Sequence, residues 1–307
     1  MRVFITGGTG LIGSALVDTL ISRQYRVFAL ARSETACTRL RAIGAVPIRG
    51  DLTDPARWCA ALPPVDAVIH AACDFSDAMT DIDRTLLDHL IPAMHAMPGP
   101  VRFLYTGGSW LFAQTPPGQS IDESSPFDPL PEFQWMCSGI DRVLGDERLH
   151  GIVIHPGCVY ATGRHGHYGL LGRDLQTAHT NDRVTLIGDG DVTLPMVHAD
   201  DLADLYCLAL GNATRGSSYF GVAINDLTNR ALAGLIARHV GTPDCQIDAI
   251  TVQTAITRLG RWAAGLARHQ SMTATRAFTD LGWNPAHCDL ESDLPGSACS
   301  FGISFPN

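Results

Sequence analysis

Thr6-Gly7-Gly8-Thr9-Gly10-Leu11-Ile12-Gly13 stands between a short apolar run, residues 2–6, and a segment with helical spacing, residues 11–23 (Leu11, Ile12, Ala15, Leu16, Leu20). Strand, glycine turn and helix in that order form a corner suited to phosphate. Gly7 permits the tight turn, Gly10 lets the backbone approach a pyrophosphate, and Gly13 lets the helix pack close to the strand. The helix start offers unpaired N–H groups and a partial positive charge. Thr9, Leu11 and Ile12 complete the expected contact set of this loop.

Outward from this corner the chain alternates. Residues 25–31, 46–48, 65–71, 101–106 and 151–155 read as apolar strands, and residues 39–43 and 81–97 as helices among them. Continuous apolar runs alternating with helices predict an α/β fold whose parallel sheet is covered on both faces. Beyond Gly157 the pattern loosens, with glycines at 163, 166, 169, 172, 188 and 190. Helices are expected near 200–211, 229–241 and 274–282, and residues 289–307 show no clear period. The organisation predicted is a nucleotide-binding domain over 1–160 and a smaller substrate-binding lobe over 161–307, partly interleaved with the sheet.

The composition narrows the function classes. The chain has 307 residues and a net charge of −9, which argues against nucleic acid or an anionic membrane as partner. It lacks an apolar run long enough to span a bilayer, and residues 1–8 read as strand and turn, not as a signal peptide. A cytoplasmic protein is expected. Nine scattered cysteines without a C-x-x-C pair suggest free thiols and no metal site. The 22 basic residues are all arginine, so no mechanism here can use a lysine.

Several stretches, taken in order, resemble the extended short-chain dehydrogenase/reductase superfamily, in its NAD-dependent epimerase/dehydratase branch. Besides the glycine loop these are Gly50-Asp51-Leu52, His70-Ala71-Ala72, residues 105–113, His155-Pro156-Gly157-Cys158-Val159-Tyr160, residues 196–203 and Leu281-Gly282-Trp283-Asn284-Pro285. The resemblance covers about residues 1–285. It implies a Rossmann-type doubly wound sheet and a bound NAD(H) or NADP(H). It places Asp51 and Leu52 near the adenine, His70, Ala71 and Ala72 along the cofactor, and Pro156, Gly157 and Val159 at its far end. Members often pair through two helices, so a homodimer is expected, with residues 81–97 and 140–149 supplying the interface.

The end of the second strand bears on the cofactor. An acid there would bind the ribose hydroxyls of NAD, and an arginine the 2′-phosphate of NADP. The chain reads Leu30-Ala31-Arg32-Ser33, with Arg32 lying 19 residues after Gly13. NADP(H) is therefore expected in preference to NAD(H), held by Arg32 and Ser33.

The catalytic half departs from the resemblance. Such enzymes use Ser/Thr, Tyr and Lys, the last two as Tyr-x-x-x-Lys, yet residues 127–146 contain neither Tyr nor Lys. Trp135 aligns with the tyrosine and Gly139 with the lysine. An indole does not exchange a proton near neutral pH, so Trp135 is expected to shape the pocket as an apolar wall. The serine position falls on Gly108, with Thr106 and Ser109 as hydroxyl neighbours. His165, His167 and Tyr168 are candidate donors expected at the cleft mouth, and Cys73, Asp74 and Phe75 are expected on the substrate side. The leading expectation is an NADP(H)-dependent oxidoreductase on a small organic substrate with an unusual proton donor. Two alternatives are an isomerase, dehydratase or cyclase without net redox change, and a non-catalytic NADP(H)-binding regulator.

Overall fold

The computed structural model describes residues 1–73 and 75–294. Asp74, Cys299 and the end of the 289–307 tail lie outside the described residues.

The main sheet is built from β1 (Arg2–Thr6), β2 (Arg26–Ala31), β3 (Val46–Arg49), β4 (Ala67–His70), β5 (Arg102–Thr106) and β6 (His150–Pro156). Two short pairs follow, β7 (Cys158–Tyr160) with β9 (Met196–His198), and β8 (Arg183–Ile187) with β11 (Gln246–Ile250). β10 (Ser217–Gly221) returns to the main sheet, whose order is β10-β6-β5-β4-β1-β2-β3 with every pairing parallel. The doubly wound fold is thus as expected, and its chain reversal lies between β1 and β4, where such sheets bind ligands.

The helices are α1 (Leu11–Ser22), α2 (Glu34–Ala42), α3 (Pro55–Cys59), α4 (Met79–His95), α5 (Trp135–Gly145), α6 (Gly172–Asn181), α7 (Ala199–Asn212), α8 (Asn229–Val240), α9 (Val252–Leu259), α10 (Thr275–Leu281) and α11 (Leu290–Asp293). α1 packs on α7, and α4 packs on α3 and α5. α2 starts five residues before the expected 39–43. Ser33 caps it, its hydroxyl accepting from the Ala36 N–H, and only Cys37 and Leu40 are buried, which leaves too little apolar periodicity to read. No described helix is long and apolar enough to cross a membrane.

Two apolar clusters form the interior. The larger includes the main sheet, α1, α4 and α7, and the smaller gathers Tyr160, Leu171, Leu175, Leu186, Ile236 and Leu266. The chain passes between them more than once, since Leu202, Phe220 and Trp283 lie in the larger cluster and Leu290 in the smaller. Trp110 and Trp262 touch both. β10 carried no legible signal because its sequence, SSYFG, is short and half polar.

Candidate functional site

The glycine corner has the geometry of a phosphate cradle. Gly7 has φ +78°, and a Cβ there would press on the Ala71 carbonyl oxygen at 2.8 Å. A Cβ on Gly13 would overlap the Gly7 carbonyl, so the strand end and the helix meet only without a side chain. Gly10 is different: it is exposed, caps α1 in extended backbone, and a Cβ on it would meet only the Gly7 oxygen at 3.3 Å. The space outside Gly10 and the first N–H groups of α1 is therefore open to an anion. His167 reaches this loop, its Nε2–H donating to the Thr9 carbonyl at 3.0 Å.

β2 delivers Arg32 to the same edge. Arg32 and Ser33 are exposed, and the Arg32 guanidinium makes no ion pair among the described residues. Across from it, Asp51 accepts from the Thr53 N–H at 3.0 Å and the Thr53 hydroxyl at 2.9 Å. The Thr53 N–H first of all, with Arg32 as a smaller influence, holds this carboxyl below the usual range. Leu52 is partly buried against the main core. A free guanidinium beside a fixed carboxylate, at the end of β2, suits a ribose bearing a phosphate.

At the end of β4 the His70 side chain takes partners inside the fold. Its ring is buried, with Nδ1 2.6 Å from the Thr6 hydroxyl and Nε2 2.9 Å from Asp83 Oδ1. A carboxylate only accepts, so Nε2 carries the hydrogen and Nδ1 accepts from Thr6. Asp83 Oδ2 also accepts from the Tyr105 hydroxyl at 3.0 Å, and burial raises the Tyr105 phenol well above its ordinary value. His70 therefore braces β1 against α4, and Ala71 and Ala72, both partly exposed, are what the strand end presents outward. Thr106 likewise has its partners inside the fold. Its hydroxyl donates to the His70 carbonyl at 2.7 Å and lies 2.5 Å from the Tyr206 hydroxyl of α7, away from α5. Pro156 and Gly157 are buried, and a Cβ on Gly157 would meet the Pro195 oxygen at 2.6 Å, so their task includes packing against β9; Val159 is the more exposed of the three.

Trp135 opens α5 and, with Leu52, His70, Ala72, Cys73, Met79, Ile82, Asp83 and Leu86, lines a cavity of about 10 Å³. Its indole N–H is buried and has no partner among the described residues. One helical turn on, Gly139 is packed: a Cβ there would lie 3.2 Å from Leu87, 3.3 Å from the Tyr105 hydroxyl and 3.5 Å from Asp83 Oδ2. By contrast a Cβ on Gly108 would meet nothing within 4 Å. Ser109 is buried in the turn Ser109–Leu111, and that turn is tied down by Gln270, whose Nε2 donates to the Ser109 and Phe112 carbonyls at 2.9 Å each. The loop candidates lie elsewhere. His165 contacts Asp18 of α1 at 2.8 Å, His167 sits on Thr9, and the Tyr168 hydroxyl lies against Gly163. They gather at α1 and the phosphate corner, and burial lowers the pKa of His167.

His198, Asp200 and His287 bring ligand-type atoms within 4.8 Å of one another. The two rings are stacked, 3.9 Å apart at 26°. In-plane lone pairs of stacked imidazoles run side by side and do not converge on one ion. His198 Nδ1 accepts from the Asp200 N–H and His287 Nδ1 is held by Asp293, so the stack serves packing and capping at the start of α7.

Residues 3–223 match the NAD dependent epimerase/dehydratase family. The chain belongs to that family. A dTDP-6-deoxy-L-talose 4-dehydrogenase (NAD(P)(+)) of Kitasatospora kifunensis is 26% identical over 303 residues, covering 92% of this chain and 91% of the relative. A 2-alkyl-3-oxoalkanoate reductase of Stenotrophomonas maltophilia is 29% identical over 273 residues, covering 83% and 80%. Among solved structures, the human epimerase family protein SDR39U1 with NADPH superposes with TM-score 0.76 at 21% identity, covering 95% of this chain and 97% of that one. DesIV, a dTDP-glucose 4,6-dehydratase from Streptomyces venezuelae with NAD and TYD bound, gives TM-score 0.78 at 21% identity, covering 93% and 92%. These two likenesses speak to the fold.

Within this family fold, Asp83 and Gln270 are residues that sequence reading missed, and Tyr105 was read only as the start of the 105–113 stretch. Asp83 sat on a recognised helix as one acid among several, and Gln270 lay in a stretch without periodicity. Only their buried partners single them out.

Proposed function

We propose that the chain is a cytoplasmic, NADP(H)-preferring oxidoreductase acting on a small organic carbonyl or alcohol. The observation that carries this reading is the free Arg32 guanidinium at the end of β2, beside an intact glycine corner. Gly7, Thr9, Gly10, Leu11, Ile12 and Gly13 hold the pyrophosphate, Arg32 and Ser33 the 2′-phosphate, Asp51 and Leu52 the adenine end, and Ala71, Ala72 and Val159 the far end. A dihydronicotinamide held by these residues would supply hydride chemistry toward a carbonyl carbon. The residues around the smaller apolar cluster form the substrate lobe, and α4 with α5 the homodimer face.

Charge-assisted contacts to a phosphate contribute on the order of 1.5–3 kcal/mol. Arg32→Ala is expected to weaken NADPH binding roughly ten- to hundredfold and to leave NADH nearly unchanged. Calorimetric titration with both cofactors checks this, and equal losses for the two, or tighter NADH in the unaltered protein, would contradict it.

Trp135 takes on more than the wall expected of it. Its N–H, one of several buried donors without a partner among the described residues, would be a donor to a substrate oxygen, stabilising the negative charge that develops there without transferring a proton. Trp135→Phe keeps the ring and removes the donor. A fall in kcat of roughly tenfold to hundredfold, with NADPH affinity unchanged, is expected. An unchanged kcat would return Trp135 to the role of a wall.

The tight Gly139 position, where even a Cβ would press on Leu87 and the Tyr105 hydroxyl, favours a second reading, an isomerase or dehydratase without net redox change. Turnover without change in absorbance at the NADPH band would favour it.

A further inference from the structure

Residues 161–168 form a small hairpin against the glycine corner. The Ala161 N–H donates to the Tyr168 carbonyl at 3.3 Å and the Gly163 N–H to the His167 carbonyl at 3.0 Å, which closes its base. Gly163 and Gly166, with φ +99° and +79°, turn the chain at the tip. The base is anchored, since Tyr168 packs on the smaller apolar cluster. The tip is not. None of residues 162–167 is buried. A cavity of about 150 Å³ lies between the hairpin, α1 and α7, lined among others by Leu11, Ser14, Thr162, Arg164 and Ala199. Polar contacts therefore hold the tip in place, as in segments that open at low cost.

Those contacts run to α1, to α7 and to the glycine loop. The His165 Nε2–H donates to Asp18 Oδ2 at 2.8 Å, and Arg164 lies 3.4 Å from the same oxygen and 3.6 Å from Asp200 at the start of α7. The His167 Nε2–H meets the Thr9 carbonyl at 3.0 Å. Just after the hairpin, a Cβ on Gly169 would stand 2.3 Å from the Val159 carbonyl oxygen and 2.7 Å from Leu11 Cδ2. Thr9, Leu11 and Val159 are all assigned above to the dinucleotide, so the hairpin and its exit touch that site at three points. His165 makes its contact from a strained backbone, φ +55° and ψ 18°, a left-handed conformation that disfavours a side chain. Strain of this kind persists only where surrounding contacts hold it, and here two donors share the Asp18 carboxylate. Asp18 itself lies seven residues after Leu11, about 10 Å along α1 from its start.

We propose that the 161–168 hairpin is a clasp on the cofactor corner and that Asp18 is a positioning residue. By holding the tip on α1, Asp18 keeps His167 on Thr9 and so sets how fast the dinucleotide leaves. This rests on the cofactor reading above and adds the element that controls release. With the latch closed, the backbone at Thr9 and Gly10 is held in the form that meets the phosphates. With it open, the left-handed tip relaxes, His167 withdraws and the loop loses a support. Asp18 acts on the dinucleotide only through the hairpin.

The test reads release directly. Protein loaded with NADPH is mixed in a stopped-flow instrument with a large excess of NADP⁺, and the loss of bound-NADPH fluorescence gives the off-rate. Asp18→Ala is expected to raise that rate roughly three- to tenfold, as for loss of a charged hydrogen bond at a partly exposed site. His165→Gly, which suits the left-handed backbone and removes the ring, is expected to do the same, and the double variant to be no faster than the quicker single one. Asp18→Glu, which keeps a carboxylate, is expected to stay near the unaltered rate. A general distortion would also move the melting temperature and the affinity for 2′-AMP, which reaches only the Arg32 end; both are expected to stay as they are. Unchanged off-rates in both Asp18→Ala and His165→Gly, or 2′-AMP weakened as much as NADPH, would overturn the clasp and leave the cofactor reading standing. An unaltered protein that takes up neither NADPH nor NADH would remove the cofactor reading, and the clasp with it.

Discussion

Gly10→Val is expected to abolish binding of NADPH and NADH alike, by more than about a hundredfold, or some 2.7 kcal/mol, while the protein remains folded. The position is exposed and its φ of −84° and ψ of −178° are extended backbone that valine adopts readily. A Cβ meets only the Gly7 oxygen at 3.3 Å, so the fold has little to lose, and the melting temperature should stay within about 3 °C. The valine methyl groups instead occupy the space where phosphate oxygens would approach the α1 N–H groups. Gly13→Ala provides the contrast, because its Cβ would collide with the Gly7 carbonyl and distort the corner itself. Calorimetry and thermal melting on both variants read the two effects separately. A Gly10→Val protein that binds either cofactor normally would remove the basis for the nucleotide reading.

Rebuilding the missing pair, Trp135→Tyr with Gly139→Lys, is expected to lower stability and to bring no gain in turnover. On one helix the two positions have the spacing that places a phenol and an ammonium on the same face. The interior around Gly139, however, is filled by Leu87, the Tyr105 hydroxyl and the Asp83 carboxylate. Forcing a side chain into such a site costs about 1–3 kcal/mol. The lysine would also compete for Asp83, which already accepts from His70 and Tyr105. Removing the Trp135 N–H at the same time takes away the donor proposed for the substrate oxygen. Turnover of a small carbonyl substrate and a thermal melt measure both consequences. A large rise in turnover with an unchanged melting temperature would mean that the slot is merely vacant, and would favour a degraded dehydrogenase acting as a regulator.

The glycine corner was legible in the sequence because its physics is local. Three glycines, a strand before them and a helix after them fix the turn within a few residues, and Arg32 follows at the set distance along one β-α-β unit. The parallel sheet was legible for the same reason, as each buried strand is a continuous apolar run whatever its neighbours. What lay beyond sequence was decided by side chains that meet across the fold. The partners of the His70 ring, Asp83 of α4 and Thr6 of β1, come from separate elements and are visible only in the fold. Gly139 looks like a lost lysine until Tyr105 and Asp83 are seen to fill its place. That His165 meets Asp18 and His167 meets Thr9, so that both lie at α1, is decided by the fold alone. Likewise the pairing of Arg261 with Glu132 and of Arg268 with Asp128 joins residues far apart in the chain, and only that folding decides which of the arginines remain free for a ligand.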